Sequence, residues 1–344
     1  MDLPECIESE EQLEDVLTRP SLALQEFIRT LPSPLVILGA GGKMGPTLAA
    51  LAKRAADAVQ NRLEVIAVSR FGDPALIAWL NHRGIRTISS DLLDPVSVGQ
   101  LPDAPNLIYL VGLKFGTAQN PSATWAINTI VPTRIAEKYH QARIVALSTG
   151  NVYPLSKVAH GGSLETEALT PLGEYANSAV ARERIFEFHS RCQSAPVALI
   201  RLFYAVELRY GVLVDIARKV YDGSPIDLSN GYFNCIWQGD ANDMIIRSLA
   251  LAASPPSAWN LCRPEAFSVR AVATRFGELL DRIPSFSGQE SATALLGNST
   301  ALCSRIGSPV VALETMLHWI VAWIKRGGRN LDKPTHFESR DGRY

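Results

Sequence analysis

A parallel, doubly wound α/β sheet followed by a mixed α/β region is predicted by three features of this 344-residue chain. Short apolar runs alternate with helical stretches, the pattern of strands buried on both faces. The first run, Leu35-Val36-Ile37-Leu38, leads into Gly39-Ala40-Gly41-Gly42-Lys43-Met44-Gly45, and a helical stretch continues to about Val59. Beyond about residue 205 the alternation loosens into short strands, turns and helices.

The glycine spacing suggests what the first strand–helix turn is for. Gly39 permits a tight turn, Gly42 lets backbone approach a pyrophosphate, and Gly45 brings helix and strand close. The phosphates would sit at the helix N-terminus, where unpaired amides and the dipole favour an anion. A strand before and a helix after make this a Rossmann-like dinucleotide turn, with Gly41 and Met44 beside the same phosphates.

The elements follow in order. Residues 1–33 form a helical arm, because Leu13, Val16 and Leu17, then Leu22, Leu24, Phe27 and Ile28, fall at helical spacings with Pro20 between them. This arm is expected to pack on the core or on a second subunit. Strand two, Leu63–Ser69, ends at Arg70. An acidic residue at that tip would take the ribose 2′-hydroxyl of NAD, whereas an arginine accommodates a 2′-phosphate. Ser69 and Arg70, with Lys43 in the glycine turn and no carboxylate, point to NADP in preference to NAD; otherwise both cations are solvated surface residues. Strand three, Ile85–Ile88, leads to Asp91 and Leu92, where an aspartate could accept from the adenine amino group; Asp94 could instead cap a helix beginning at Pro95.

Strand four, Asn106–Val111, runs into Gly112-Leu113-Lys114-Phe115-Gly116, a loop expected over the cofactor. A helix from about Ser122 to Tyr139 carries Asn128, and strand five, Arg143–Leu147, ends at Ser148-Thr149-Gly150-Asn151-Val152-Tyr153. Gly173-Glu174-Tyr175 opens a helix to about Arg191. Farther on, Leu208–Tyr221 reads as a helix, Pro225–Trp237 as short strands with a turn at Asn230-Gly231, and Asp240 as the cap of a helix to Ala253. A strand (Ala258–Cys262) and two helices (Val269–Leu280 and Ala312–Lys325) complete the ordered part. The polar residues from Gly327 onward are expected to form an arm or a loosely ordered tail.

Composition narrows the function classes. A net charge of −1 gives nucleic-acid binding no electrostatic support. No apolar run of about 18 residues offers a membrane span, and an acidic N-terminal stretch without a signal-peptide core suggests the cytoplasm. Five scattered cysteines and six dispersed histidines show no metal-ligand spacing, so no metal is expected.

Taken together, these landmarks resemble the extended short-chain dehydrogenase/reductases of the NAD-dependent epimerase/dehydratase family, over roughly residues 35–325. The glycines at 39, 42 and 45, Asp91 with Leu92, Asn128, the Thr149–Tyr153 stretch, Tyr175, Glu183, Ile200-Arg201-Leu202-Phe203-Tyr204 and Gln238-Gly239-Asp240-Ala241 carry the resemblance. It implies a dinucleotide-binding domain over 34–205, with part of 232–262 returning to it, and a mainly substrate-binding lobe over 206–325. Tyr175 would be the proton-transfer group and Thr149 its partner on the substrate oxygen. Cofactor contacts would include Val111, Gly112, Asn128 and Phe203, and substrate contacts Lys114, Thr149, Asn151 and Tyr204. The substrate would be carbohydrate-derived and the protein a homodimer. One position departs from the pattern: the lysine expected four residues after the tyrosine is Ala179. That lysine normally holds the nicotinamide ribose and lowers the phenol pKa. Arg182 or Lys114 could supply charge instead. The alternative is a dinucleotide-binding sensor or assembly protein with weakened catalysis.

Overall fold

The computed structural model describes residues 3–342 apart from 115, 117, 118 and 334. Phe115 of the loop expected over the cofactor, and the outermost two residues of the arm and of the tail, lie outside the described residues. Seven strands form one parallel sheet: β1 (Leu35–Leu38), β2 (Val65–Ser69), β3 (Arg86–Ser89), β4 (Asn106–Tyr109), β5 (Arg143–Thr149), β6 (Val197–Leu202) and β7 (Ser257–Leu261). Their spatial order is β7-β6-β5-β4-β1-β2-β3. Leu38 pairs with Val68 on one side and Tyr109 on the other, so the carboxyl ends of β2, β1 and β4 are level. The chain winds outward in opposite directions from β1, and that switch point is where such sheets open a crevice.

Among the described residues the α-helices that accompany the sheet are α1 (Glu10–Leu17), α2 (Leu22–Ile28), α3 (Gly45–Ala58), α4 (Pro74–His82), α5 (Pro95–Gly99), α6 (Pro121–Trp125), α7 (Val131–Lys138), α8 (Gly173–Gln193), α9 (Val212–Asp222), α10 (Gln238–Arg247), α11 (Val269–Leu280), α12 (Thr300–Ile306) and α13 (Leu313–Lys325). One sheet face is covered by apolar residues of α2, α3, α10 and α12, the other by α5, α7 and α8. All four residues of β1 are buried, which is why that strand is an uninterrupted apolar run. A separate core gathers α9, α11 and α13 with Leu13, Val16 and Leu17 of α1. The arm therefore packs on its own chain: α1 on this second core, α2 on the sheet layer.

Two expectations differ from the structure. Asp240 does not cap a helix; α10 begins at Gln238, and the carboxylate accepts the backbone N–H groups of Val310 and Val311 at 2.9 and 2.8 Å. The tail is not loose. Phe337 is fully buried in the second core, Thr335 binds Asp215, and Arg340 donates to the Thr293 carbonyl at 2.6 Å. A polar composition concealed one apolar anchor and one buried-side arginine, which together dock the segment.

Candidate active site

At the carboxyl ends of β1 to β4 lies a cavity of about 300 Å³. Gly39, Gly41 and Gly42 form one wall, Ser69 and Arg70 the tip of β2, Asp91 and Leu92 the segment after β3, and Val111 and Gly112 the end of β4. The glycines are required by packing. Gly39 has φ +81°, and a Cβ there would lie 3.0 Å from the backbone of Leu110 and Val111. A Cβ on Gly45 would come within 2.5 Å of the Ala40 backbone. The helix can thus start directly against the turn, and α3 has no side-chain cap on its first amides, unlike α1, α2, α4 and α5. Those amides remain available to an anion.

Sequence reasoning passed over Ser90, Leu93, Leu110, Ile127 and Val131, which also line the cavity. Ser90 is informative, because its buried Oγ has no hydrogen-bond partner among the described residues. Such a hydroxyl in an otherwise apolar wall suits the polar edge of a bound ligand. Asp91 accepts from Leu93 N–H at 3.0 Å, while Asp94 caps α5 through Val96 and Ser97. The free helix amides, the glycine cradle and the unpartnered Ser90 hydroxyl fit a dinucleotide.

Other expected contacts are placed elsewhere. Met44 precedes α3, and its carbonyl accepts from Thr47. Lys43 does not join Arg70; it turns toward the second core and lies over the ring of Tyr210. It keeps an exposed face, yet surrounding protein strips enough water to push its ammonium down to about 6, against the attraction of Glu207. Asn128 is fully buried inside a π-helical turn, Ala126–Ile130, between α6 and α7. It accepts from Leu113 N–H at 3.1 Å and donates to Ser178 Oγ at 2.8 Å, so it clamps the loop after β4 to α8. Phe203 sits outside the cavity lining, held between Gly150 and Gly297 in an apolar cluster. Tyr204 packs against the second core.

Tyr175, Lys114 and Thr149 do not line that cavity. Tyr175 is buried in the first turn of α8. Lys114 Nζ is 5.9 Å from its ring centroid, and burial pushes that ammonium down to about 8. Thr149, also buried, donates from Oγ1 to Asn151 Oδ1 at 2.9 Å and accepts from Asn151 N–H at 3.2 Å. Beneath them, Ser148 and Arg201 both bind Glu183, with Arg201 Nη2 2.7 Å from its carboxylate, and Arg201 also donates to Tyr153. This buried network ties α8 to the ends of β5 and β6. Ala179 is wholly buried in the cluster of Val152, Tyr153, Phe203, Cys262 and Leu295. Arg182 is not a surface residue: it is 4% exposed and donates to the Val111 carbonyl at 3.0 Å. Among the described residues no group of His, Cys, Asp and Glu could hold a metal ion, and no helix is long and apolar enough to cross a membrane.

Comparison with known proteins agrees with this geometry. No curated protein sequence matches the chain. Among solved structures, Pal from Bacillus thuringiensis is 20% identical, covering 85% of this chain and 99% of its own, with a TM-score of 0.69. MoeE5 in complex with UDP-glucose and NAD is 17% identical, covering 86% and 99%, with a TM-score of 0.69. UDP-glucuronic acid 4-epimerase from Bacillus cereus in complex with NAD is 15% identical, covering 85% and 99%, with a TM-score of 0.70. At these identities the likeness establishes the fold. The model of the NAD dependent epimerase/dehydratase family matches residues 35–226, more than half of the sequence and every landmark from the glycine turn through Tyr175. The chain belongs to the NAD-dependent epimerase/dehydratase family.

Proposed function

We propose that the chain binds a nicotinamide dinucleotide, NADP in preference to NAD, and acts as an oxidoreductase or epimerase. Its target would be a hydroxyl/carbonyl carbon of a sugar, sugar acid or nucleotide sugar. The observation that carries this reading is a single cavity bringing together the glycine turn, the Ser69–Arg70 tip, the Ser90–Asp91–Leu92 segment and the Val111–Gly112 strand end. Arg70 is exposed at the lip, with no carboxylate at that tip, which favours a 2′-phosphate. The names of the similar structures, several of them nucleotide-sugar proteins, support the substrate class.

When bound, the cofactor would exchange hydride with the carbon bearing the hydroxyl. The chain's own part is proton handling and placement. Tyr175 would take or return the hydroxyl proton, with Lys114 near its ring favouring negative charge on the phenol oxygen. Thr149 Oγ1 would exchange its bond to Asn151 for one to the substrate oxygen, and Asn151 would border the substrate. Trp125, Ile130 and Phe188 are exposed on the α6–α8 helices, which supports a homodimer through that face.

Fluorescence titration with NADPH and NADH tests the reading, followed by a panel of sugars, sugar acids and nucleotide sugars. Binding of neither cofactor at micromolar levels would sink it. Arg70→Ala should weaken NADPH by about tenfold or more, the value of one charged hydrogen bond, and leave NADH unchanged. A second reading, a dinucleotide-binding sensor without turnover, is favoured by the apolar packing of Ala179. It would prevail if cofactor binds, no substrate turns over, and Tyr175→Phe changes nothing measurable.

A further inference from the structure

Position 179 cannot hold the family's lysine without rebuilding its surroundings, because Ala179 is fully buried against Phe203 and Cys262. A cation serving the cofactor must therefore come from another residue. Side chains of a helix lean toward its N-terminus, so a long one covers the turn before its own Cα. Arg182, one turn beyond Ala179, does this. A Cβ on Gly112 would lie 2.7 Å from Arg182 Nη1 and 3.5 Å from Asn128 Oδ1. Asn128 in turn reaches Ser178 Oγ at 2.8 Å. These contacts put the guanidinium near Asn128, the partner of Ser178, and against the Val111–Gly112 backbone that lines the cavity.

Two further facts separate this side chain from an ordinary strut. Arg182 forms no ion pair with any described carboxylate, although it is 4% exposed, and its Nε has no hydrogen-bond partner among the described residues. A buried guanidinium without a counter-charge is unfavourable unless something else supplies the negative charge. Resting on the dinucleotide reading above, we infer that Arg182 is this chain's substitute for the missing lysine on the cofactor side. It holds the Val111–Gly112 floor by one hydrogen bond and puts a fixed positive charge directly behind that backbone, whose field favours the anionic dinucleotide. It is a positioning residue, acting through the strand end and through its field. Unlike Arg70, it is indifferent to a 2′-phosphate.

The test uses the full-length protein with Arg182→Lys, Arg182→Gln and Arg182→Met, titrated with NADPH and NADH, with thermal melting alongside. Lysine keeps the charge, glutamine keeps a donor for the Val111 carbonyl, and methionine keeps neither. The expected result is that Arg182→Lys stays within about threefold of wild type. Arg182→Gln and Arg182→Met should lose about 10- to 100-fold, equally for both cofactors, as loss of a nearby charge in a partly desolvated site gives. Should Arg182→Met fail to fold, the Gln and Lys pair still decides. Wild-type affinity in Arg182→Gln, or a loss in Arg182→Lys as large as in Arg182→Gln, overturns the inference. Wild-type protein that binds neither cofactor overturns the dinucleotide reading first, and this inference falls with it.

Discussion

Four cations were visible in the sequence near the expected site, and their spacing alone could not say which way each side chain runs. Arg70 stands at the cavity lip, as a strand-tip residue should. Lys43 leaves the glycine turn for Tyr210 instead, because a turn residue has a free choice of rotamer and its long stem can lay the amine over an aromatic face. Helical periodicity gives no reason to expect a buried arginine at position 182. Its burial depends on Gly112, a neighbour 70 positions earlier that leaves room for the guanidinium. Lys114 carries a prediction of its own. Its ammonium, pushed down to about 8 by burial, is charged at neutral pH and neutral well above 8. With Nζ 5.9 Å from the Tyr175 ring centroid, the charged ammonium favours negative charge on that phenol. Turnover should therefore decline as pH rises through about 8. Lys114→Met should lower the rate at pH 7 by about tenfold or more and lose that decline, which a pH–rate profile of both proteins would check.

Among the elements, α8 bears the candidate chemistry, and what aims it is the buried Ser148–Glu183–Arg201–Tyr153 network. Glu183 and Arg201 are 2% and 4% exposed, so each is tolerable only because the other is present. Arg201→Met leaves the carboxylate uncompensated and should cost about 3–5 kcal/mol of unfolding free energy. Denaturant titration measures this, and a loss under 1 kcal/mol would mean that water already serves the pair. Regular elements were legible because their cause is local: alternating apolar runs, and the Asp94 cap before Pro95, match the structure. The π turn around Asn128 was not legible. Its extra residue per turn is dictated by the bonds from Asn128 to Leu113 and Ser178, which join three segments distant in sequence.

For the molecule as a whole, stability rests on how the second core is attached to the sheet. One attachment is the tail: Phe337, fully buried in that core, should cost about 3–5 kcal/mol when changed to alanine, seen as a drop in denaturant midpoint. The sequence hid this anchor because one aromatic in a polar stretch has no periodicity to announce it. Another attachment is Asp240. It sits on α10, in the sheet's helix layer, and accepts the amides of Val310 and Val311, the latter a member of the second core. Burial pushes its carboxyl up to about 6, and the two amide bonds only partly oppose that. The folded pKa therefore exceeds that of an unfolded aspartate, about 3.9. A raised folded pKa means that the native state binds the proton more tightly, so this group's contribution to stability grows as pH falls from about 6 to 4 and is lost as pH rises through 6. Asp240→Asn retains an acceptor for the amides but has nothing to titrate. The difference in melting temperature, wild type minus Asp240→Asn, should accordingly be smallest above pH 7 and increase steadily toward pH 4. A difference that stays flat, or shrinks on acidification, would show that Asp240 is ionised in the native state throughout this range and that the link between α10 and the second core is not proton-sensitive.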